Sequence, residues 1–128
     1  PVVDRAVAAL IDDLEERGLL GQVMVLVMGE FGRTPRINTG QPGIPIPGRD
    51  HWGNAISALI AGGGVPAGVV VGKTNAKAEH PVERALKPAA LLATVYHHLG
   101  IDASQTFKDP TGRPHPILDD PTPIKELM

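Results

Sequence analysis

The segment VMVLVMGEFGRTPRI, residues 23–37, decides how the chain is read. Six apolar residues run unbroken from Val23 to Met28, and then Glu30 stands between Gly29 and Gly32, with Arg33 and Arg36 following at once. A short, continuous aliphatic run suits a strand buried on both faces. Such a strand would end by delivering an acid and two guanidinium groups at its tip.

Upstream, residues 3–17 predict a helix. Val3, Val7, Leu10, Ile11 and Leu14 recur at helical spacing, with Asp12, Asp13, Glu15, Glu16 and Arg17 on the other face. Gly18 suits the position just past the helix end, with Leu19 and Leu20 packing back. Helix, short turn and buried strand are the grammar of an α/β sheet with a parallel core. The chain enters this helical pattern almost at once, as a piece of something longer would.

Downstream, residues 38–49 (NTGQPGIPIPGR) carry three prolines and three glycines, which exclude a helix or a central strand and predict a long surface loop. Two short strands are expected near 55–61 and 68–72. Residues 88–99 (PAALLATVYHHL) predict a second helix, with Pro88 in its first turn and Gly100 closing it. Its expected apolar face is Leu91, Leu92, Val95, Tyr96 and Leu99. DPTGR, 109–113, fits a type I turn between two short extended pieces.

The bulk numbers narrow the function. The 128 residues amount to a single domain, and the net charge of −2 gives no electrostatic reason to expect nucleic acid or an anionic membrane. No run is long enough to span a membrane. There is no cysteine, which excludes disulfides, thiolate metal sites and a cysteine nucleophile. AGVVVGKT, 67–74, imitates a phosphate loop, but Ala67 stands where the first glycine is required and no helix follows Thr74.

The informative pair is GEFGR, 29–33, and GRDHW, 48–52. If the long loop folds back, Glu30, Asp50 and His51 form an oxygen and nitrogen cluster suited to a divalent metal ion. Arg33, Arg36 and Arg49 beside it suit an oxyanion through forked hydrogen bonds. The plainer reading pairs Glu30 with Arg33 or Arg49, leaves His51 capping a turn, and is favoured by composition alone. His80, His97, His98 and His115 are scattered, and a structural role is the default for each. His97 and His98 are helical neighbours, so at most one faces the core.

LIDDLEERGLL (10–20), VMVLVMGEFGRTPRIN (23–38), GRDHWGNAISALIAGGGVPAGVVVGKT (48–74) and KPAALLATVYHHLGID (87–102) occur here in that order. Together they resemble the C-terminal part of the bacterial domain-of-unknown-function family 1501, over nearly the whole chain. That family in turn resembles the alkaline phosphatase and sulfatase superfamily.

The resemblance implies an α/β fold with a mostly parallel sheet flanked by helices, of which residues 1–128 are the C-terminal portion. It implies a hydrolase of phosphate or sulfate esters using Zn, Mn, Mg or Ca, with the N-terminal half of the same protein as partner and an extracytoplasmic location, periplasmic or secreted. The substrate would be a sulfated or phosphorylated small molecule or glycan. Glu30 falls on the superfamily's metal-binding Asp and His51 on its later His, with Asp50 as a substitute ligand and Arg33 or Arg49 as oxyanion clamp. Phe31 stands where a ligating His is usual, and Phe cannot bind metal. The nucleophile and first metal Asp would lie upstream, so no catalytic residue is assigned here. The alternative is a binding or assembly module that kept the fold and lost the chemistry.

Overall fold

A computed structural model describes residues 2–128. Helix α1, Val2–Glu16, is followed by strands β1, Met24–Met28; β2, Gly32–Arg33; β3, His51–Trp52; β4, Ala58–Gly62; β5, Lys73–Thr74; and β6, Pro81–Glu83. Helix α2, Pro88–His98, then leads to β7, Thr106–Lys108, β8, Pro114–Pro116, and a closing 3-10 turn, Lys125–Leu127.

Both helices end as the sequence predicts. Past α1, Leu19 N–H donates to Leu14 O at 2.8 Å and Gly18 N–H to Glu15 O at 2.9 Å. Past α2, Ile101 N–H reaches Tyr96 O at 2.8 Å and Gly100 N–H reaches His97 O at 2.9 Å. These are the paired bonds of a Schellman ending, which satisfy carbonyls left over by the helix. The DPTGR turn also forms: Gly112 N–H donates to Asp109 O at 2.9 Å, and β7 and β8 pair on either side of it.

The expected parallel sheet does not form. The strands make four separate antiparallel ribbons, β1–β4, β2–β3, β5–β6 and β7–β8, each of two strands. In the longest, Met24 faces Gly62, Leu26 faces Ile60 and Met28 faces Ala58. The reason lies in the connection. A parallel neighbour needs a crossover, usually helical, and residues 29–57 hold no helix. The chain therefore returns antiparallel beside β1.

Two further expectations shift. The first of the predicted downstream strands forms at Ala58–Gly62, but 68–72 stays outside any strand, and pairing begins only at Lys73. Gly68 and Gly72 both hold positive φ, 73° and 83°, which breaks the extended backbone on either side of the valines. β1 is not buried on both faces either: Leu26 is 37% exposed and Met28 46%.

The apolar interior is small. Among the described residues Leu14, Ala93, Ala103, Ile124 and Leu127 are its buried members. On α2 the buried positions are Ala93 and Thr94, while Leu92 and Leu99 of the expected face lie exposed. Thr94 is fully buried, and its hydroxyl donates to Ala90 O at 2.8 Å while accepting Ile124 N–H at 2.8 Å. That one oxygen ties the C-terminal segment to α2.

Candidate functional site

Strands β2 and β3 are short, but they join the two motifs that the sequence singles out. Gly32 faces Trp52 and Arg33 faces His51. The ladder continues past them: Thr34 N–H donates to Asp50 O at 3.0 Å, and Asp50 N–H donates back to Thr34 Oγ1 at 3.0 Å. Gly32 is required by space. A Cβ there would collide with the carbonyl oxygen of Ala55, and with that of Trp52 at 2.9 Å. Only a residue without a side chain lets the two segments approach this closely.

The 38–49 loop folds onto itself. Asn38 N–H donates to Gly48 O at 2.8 Å, and Asn38 Oδ1 accepts from Gly40 N–H and Gly48 N–H at 3.0 and 3.1 Å. Asp50 closes the loop, its Oδ1 accepting from Asn38 Nδ2 at 2.9 Å and Gln41 Nε2 at 3.3 Å. Arg49 braces the base, donating through Nη1 to Thr34 O at 2.7 Å and Pro35 O at 2.6 Å. Arg33 Nη1 donates to Arg49 O at 3.3 Å, and its guanidinium carbon lies 5.2 Å from the Phe31 ring centre. The ring of Phe31 packs on that of His51, centroids 3.7 Å apart.

These contacts divide the sequence candidates. Asp50 and Arg49 are engaged in holding the loop. The side chains of Glu30 and Arg36 have no hydrogen-bond or ion-pair partner among the described residues, although the Arg36 carbonyl accepts from Thr34 Oγ1 at 2.9 Å, and the His51 side chain has only its ring contact with Phe31. The plainer pairing of Glu30 with Arg33 or Arg49 is therefore not what this chain does. Trp52 is half-buried and its indole N–H donates to Glu79 O at 2.6 Å, which anchors the junction to the 75–80 turn.

The metal expectation meets a limit here. Among the described residues no three carboxylate, imidazole or thiol groups converge on a point where an ion would sit. The donor set in this chain does not close around a metal by itself, because Asp50 is turned to amides and Phe31 occupies the flank of His51. Glu30 and His51 remain as two unengaged donors on adjoining segments.

The sequence reading missed the residues that hold this arrangement. Asn38, Gln41 and Thr34 supply most of its side-chain bonds, and Asn75 with Glu79 builds the turn that receives Trp52. Asn38-Thr39-Gly40 carried the one available signal, since Asn ahead of Gly commonly folds a turn with its own side chain. Two of the scattered histidines take structural places: a ring nitrogen of His98 meets Leu127 O at 3.3 Å, and His115 meets Asp109 Oδ2 at 3.1 Å. A shallow depression lined by His97, Asp102 and Ser104 has the composition of a hydrolytic triad. Its serine, however, donates to Asp102 Oδ1 at 2.6 Å within a local turn, so that carboxylate orders backbone.

With this geometry in view, the chain matches a family model over residues 1–128, that of the protein of unknown function DUF1501. It belongs to that family. No curated protein and no solved structure matches this DUF1501 chain. Among its described residues no helix is long and apolar enough to cross a membrane.

Proposed function

We propose that this chain supplies half of a site for a phosphate or sulfate ester in a hydrolase related to the alkaline phosphatases and sulfatases. The observation that supports it is the β2–β3 junction, which sets GEFGR beside GRDHW and leaves Glu30 and His51 unengaged. Arg33 and Arg36, whose guanidinium has no partner among the described residues, are the cations available to an oxyanion, as charge-assisted forked donors. Arg49 acts here as a brace for Arg33 and the loop. A divalent ion would need further ligands from outside this chain, from the N-terminal half of the same protein, and no step is assigned to it.

The 128-residue chain alone is expected to hydrolyse neither ester, since no hydroxyl near the junction has a base. Elemental analysis of the longer protein after metal-replete purification tests the half-site. Wild type should carry Zn, Mn, Mg or Ca, and Glu30→Ala and His51→Ala should each lose it while His97→Ala does not. Uptake should fall in acid, because an imidazole must be neutral to bind a metal ion. A metal-free wild type would sink this reading.

The contact between Phe31 and His51 favours a second reading, a binding module in which the aromatic ring has replaced a ligand. It predicts no bound metal and ligand affinity indifferent to Glu30→Ala.

A further inference from the structure

Asp50 grips both ends of the segment that carries Arg36. At the start of that segment, Thr34 N–H donates to Asp50 O and Asp50 N–H donates back to Thr34 Oγ1, each at 3.0 Å. At its end, Asp50 Oδ1 accepts from Asn38 Nδ2 at 2.9 Å. The same oxygen accepts from Gln41 Nε2 at 3.3 Å, further along the loop. Between the two grips the carbonyls are engaged as well. Arg49 Nη1 donates to those of Thr34 and Pro35 at 2.7 and 2.6 Å, and Thr34 Oγ1 donates to that of Arg36 at 2.9 Å.

A backbone held at so many points moves only by giving up these bonds. Yet the Arg36 side chain that it presents is exposed, and its guanidinium has no partner among the described residues. A cation that served solubility alone would need no such base. Fixing the backbone beneath a long side chain lowers the ordering cost of any binding that the side chain performs.

We infer that Asp50 serves this site as a positioning residue, fixing the 34–38 segment from which Arg36 reaches a phosphate or sulfate oxyanion, and not as a ligand to a metal ion. The resemblance to the phosphatase and sulfatase superfamily offers Asp50 as a substitute ligand. Its Oδ1 accepts two amides here, a task that an uncharged carbonyl-type oxygen performs equally well. The identity of the anion rests on the half-site reading, but the role of Asp50 is tested by replacing its charge while keeping its oxygen.

Calorimetric titration of the longer protein with inorganic phosphate and inorganic sulfate, beside hydrogen exchange across the 38–48 loop, makes the test. Asp50→Asn keeps an acceptor for both amides, so anion affinity should stay within about twofold of wild type. Asp50→Ala should weaken it about tenfold, because the released segment must be ordered again each time an anion binds. Arg36→Gln should weaken it at least as much. Asn38→Asp leaves Asp50 untouched and keeps an oxygen for the Gly40 and Gly48 amides, but sets a second carboxylate against the first. It should match Asp50→Ala in affinity and speed exchange at the Asn38 and Gly48 amides, and it decides the matter alone if Asp50→Ala does not fold. Asp50→Asn as weak as Asp50→Ala, Asn38→Asp with wild-type affinity, or a wild type that binds neither anion would each overturn the inference. Metal content separates the two readings. An Asp50→Asn protein that loses the metal of the wild type overturns the positioning role and leaves the half-site standing. A metal-free wild type with the affinities ordered as above does the reverse.

Discussion

The rings of Phe31 and His51 lie against each other, 3.7 Å between centroids, one residue along from the unengaged carboxylate of Glu30. An aromatic ring thus occupies the place beside His51 where a second imidazole would make a bidentate nitrogen site. Phe31→His is expected to raise Zn²⁺ affinity by about tenfold or more at neutral pH, with the gain lost in acid, where metal binding must compete with protons for the ring nitrogens. Calorimetric titration at pH 7.5 and at pH 5.5 checks it, and unchanged affinity at pH 7.5 would show that the two rings do not share an ion.

The close approach at Gly32 makes a stability prediction. Gly32→Ala forces β2 away from Ala55 O and Trp52 O, and should cost about 1–3 kcal/mol as overpacking against backbone. The indole of Trp52 reports the event locally, because its N–H bond to Glu79 O depends on β3 staying in place. Trp fluorescence should shift before the helical circular dichroism changes. Coincident, wild-type-like curves by both probes would refute this role for Gly32.

Thr94 is the second point of leverage. Thr94→Val keeps the shape but leaves the buried Ile124 N–H without an acceptor, at a cost of about 1–3 kcal/mol. Thr94→Ser keeps the hydroxyl, loses one methyl and should cost about 1 kcal/mol. Urea unfolding of the pair measures the difference. Equal loss in both variants would show that packing rather than the hydrogen bond is responsible.

Acid stability follows from two carboxylates. The Thr111 hydroxyl, with the Arg113 amide and His115, holds Asp109 down at about 2. The Arg84 guanidinium, donating at 2.6 and 2.8 Å, holds Glu126 down at about 2. Unfolded, both titrate near ~4. The stability they supply is therefore complete above ~4 and is lost as pH falls toward 2. The urea midpoint should drop across that window, and the drop should shrink in Asp109→Asn with Glu126→Gln. Arg84 and Glu126 are exposed, so the effect should weaken in high salt for that pair.

The sequence by itself determined what depends on neighbours along the chain. The two helices and their glycine endings, the strand at 24–28, the 38–49 loop and the DPTGR hairpin were all legible, because periodicity, turn chemistry and ring closure act within a few residues. Only the tertiary structure decided how those pieces pair. The direction of β4 beside β1 depends on a connection of nearly thirty residues, whose path no local pattern records. The candidate site divides the same way. The residue types in GEFGR and GRDHW advertised an acid, an imidazole and arginines. That Asp50 would be taken by Asn38 and Gln41, Arg49 by two carbonyls, and the flank of His51 by Phe31 depends on where the folded loop sets each side chain, since a polar group commits to whichever partner lies within about 3 Å of it.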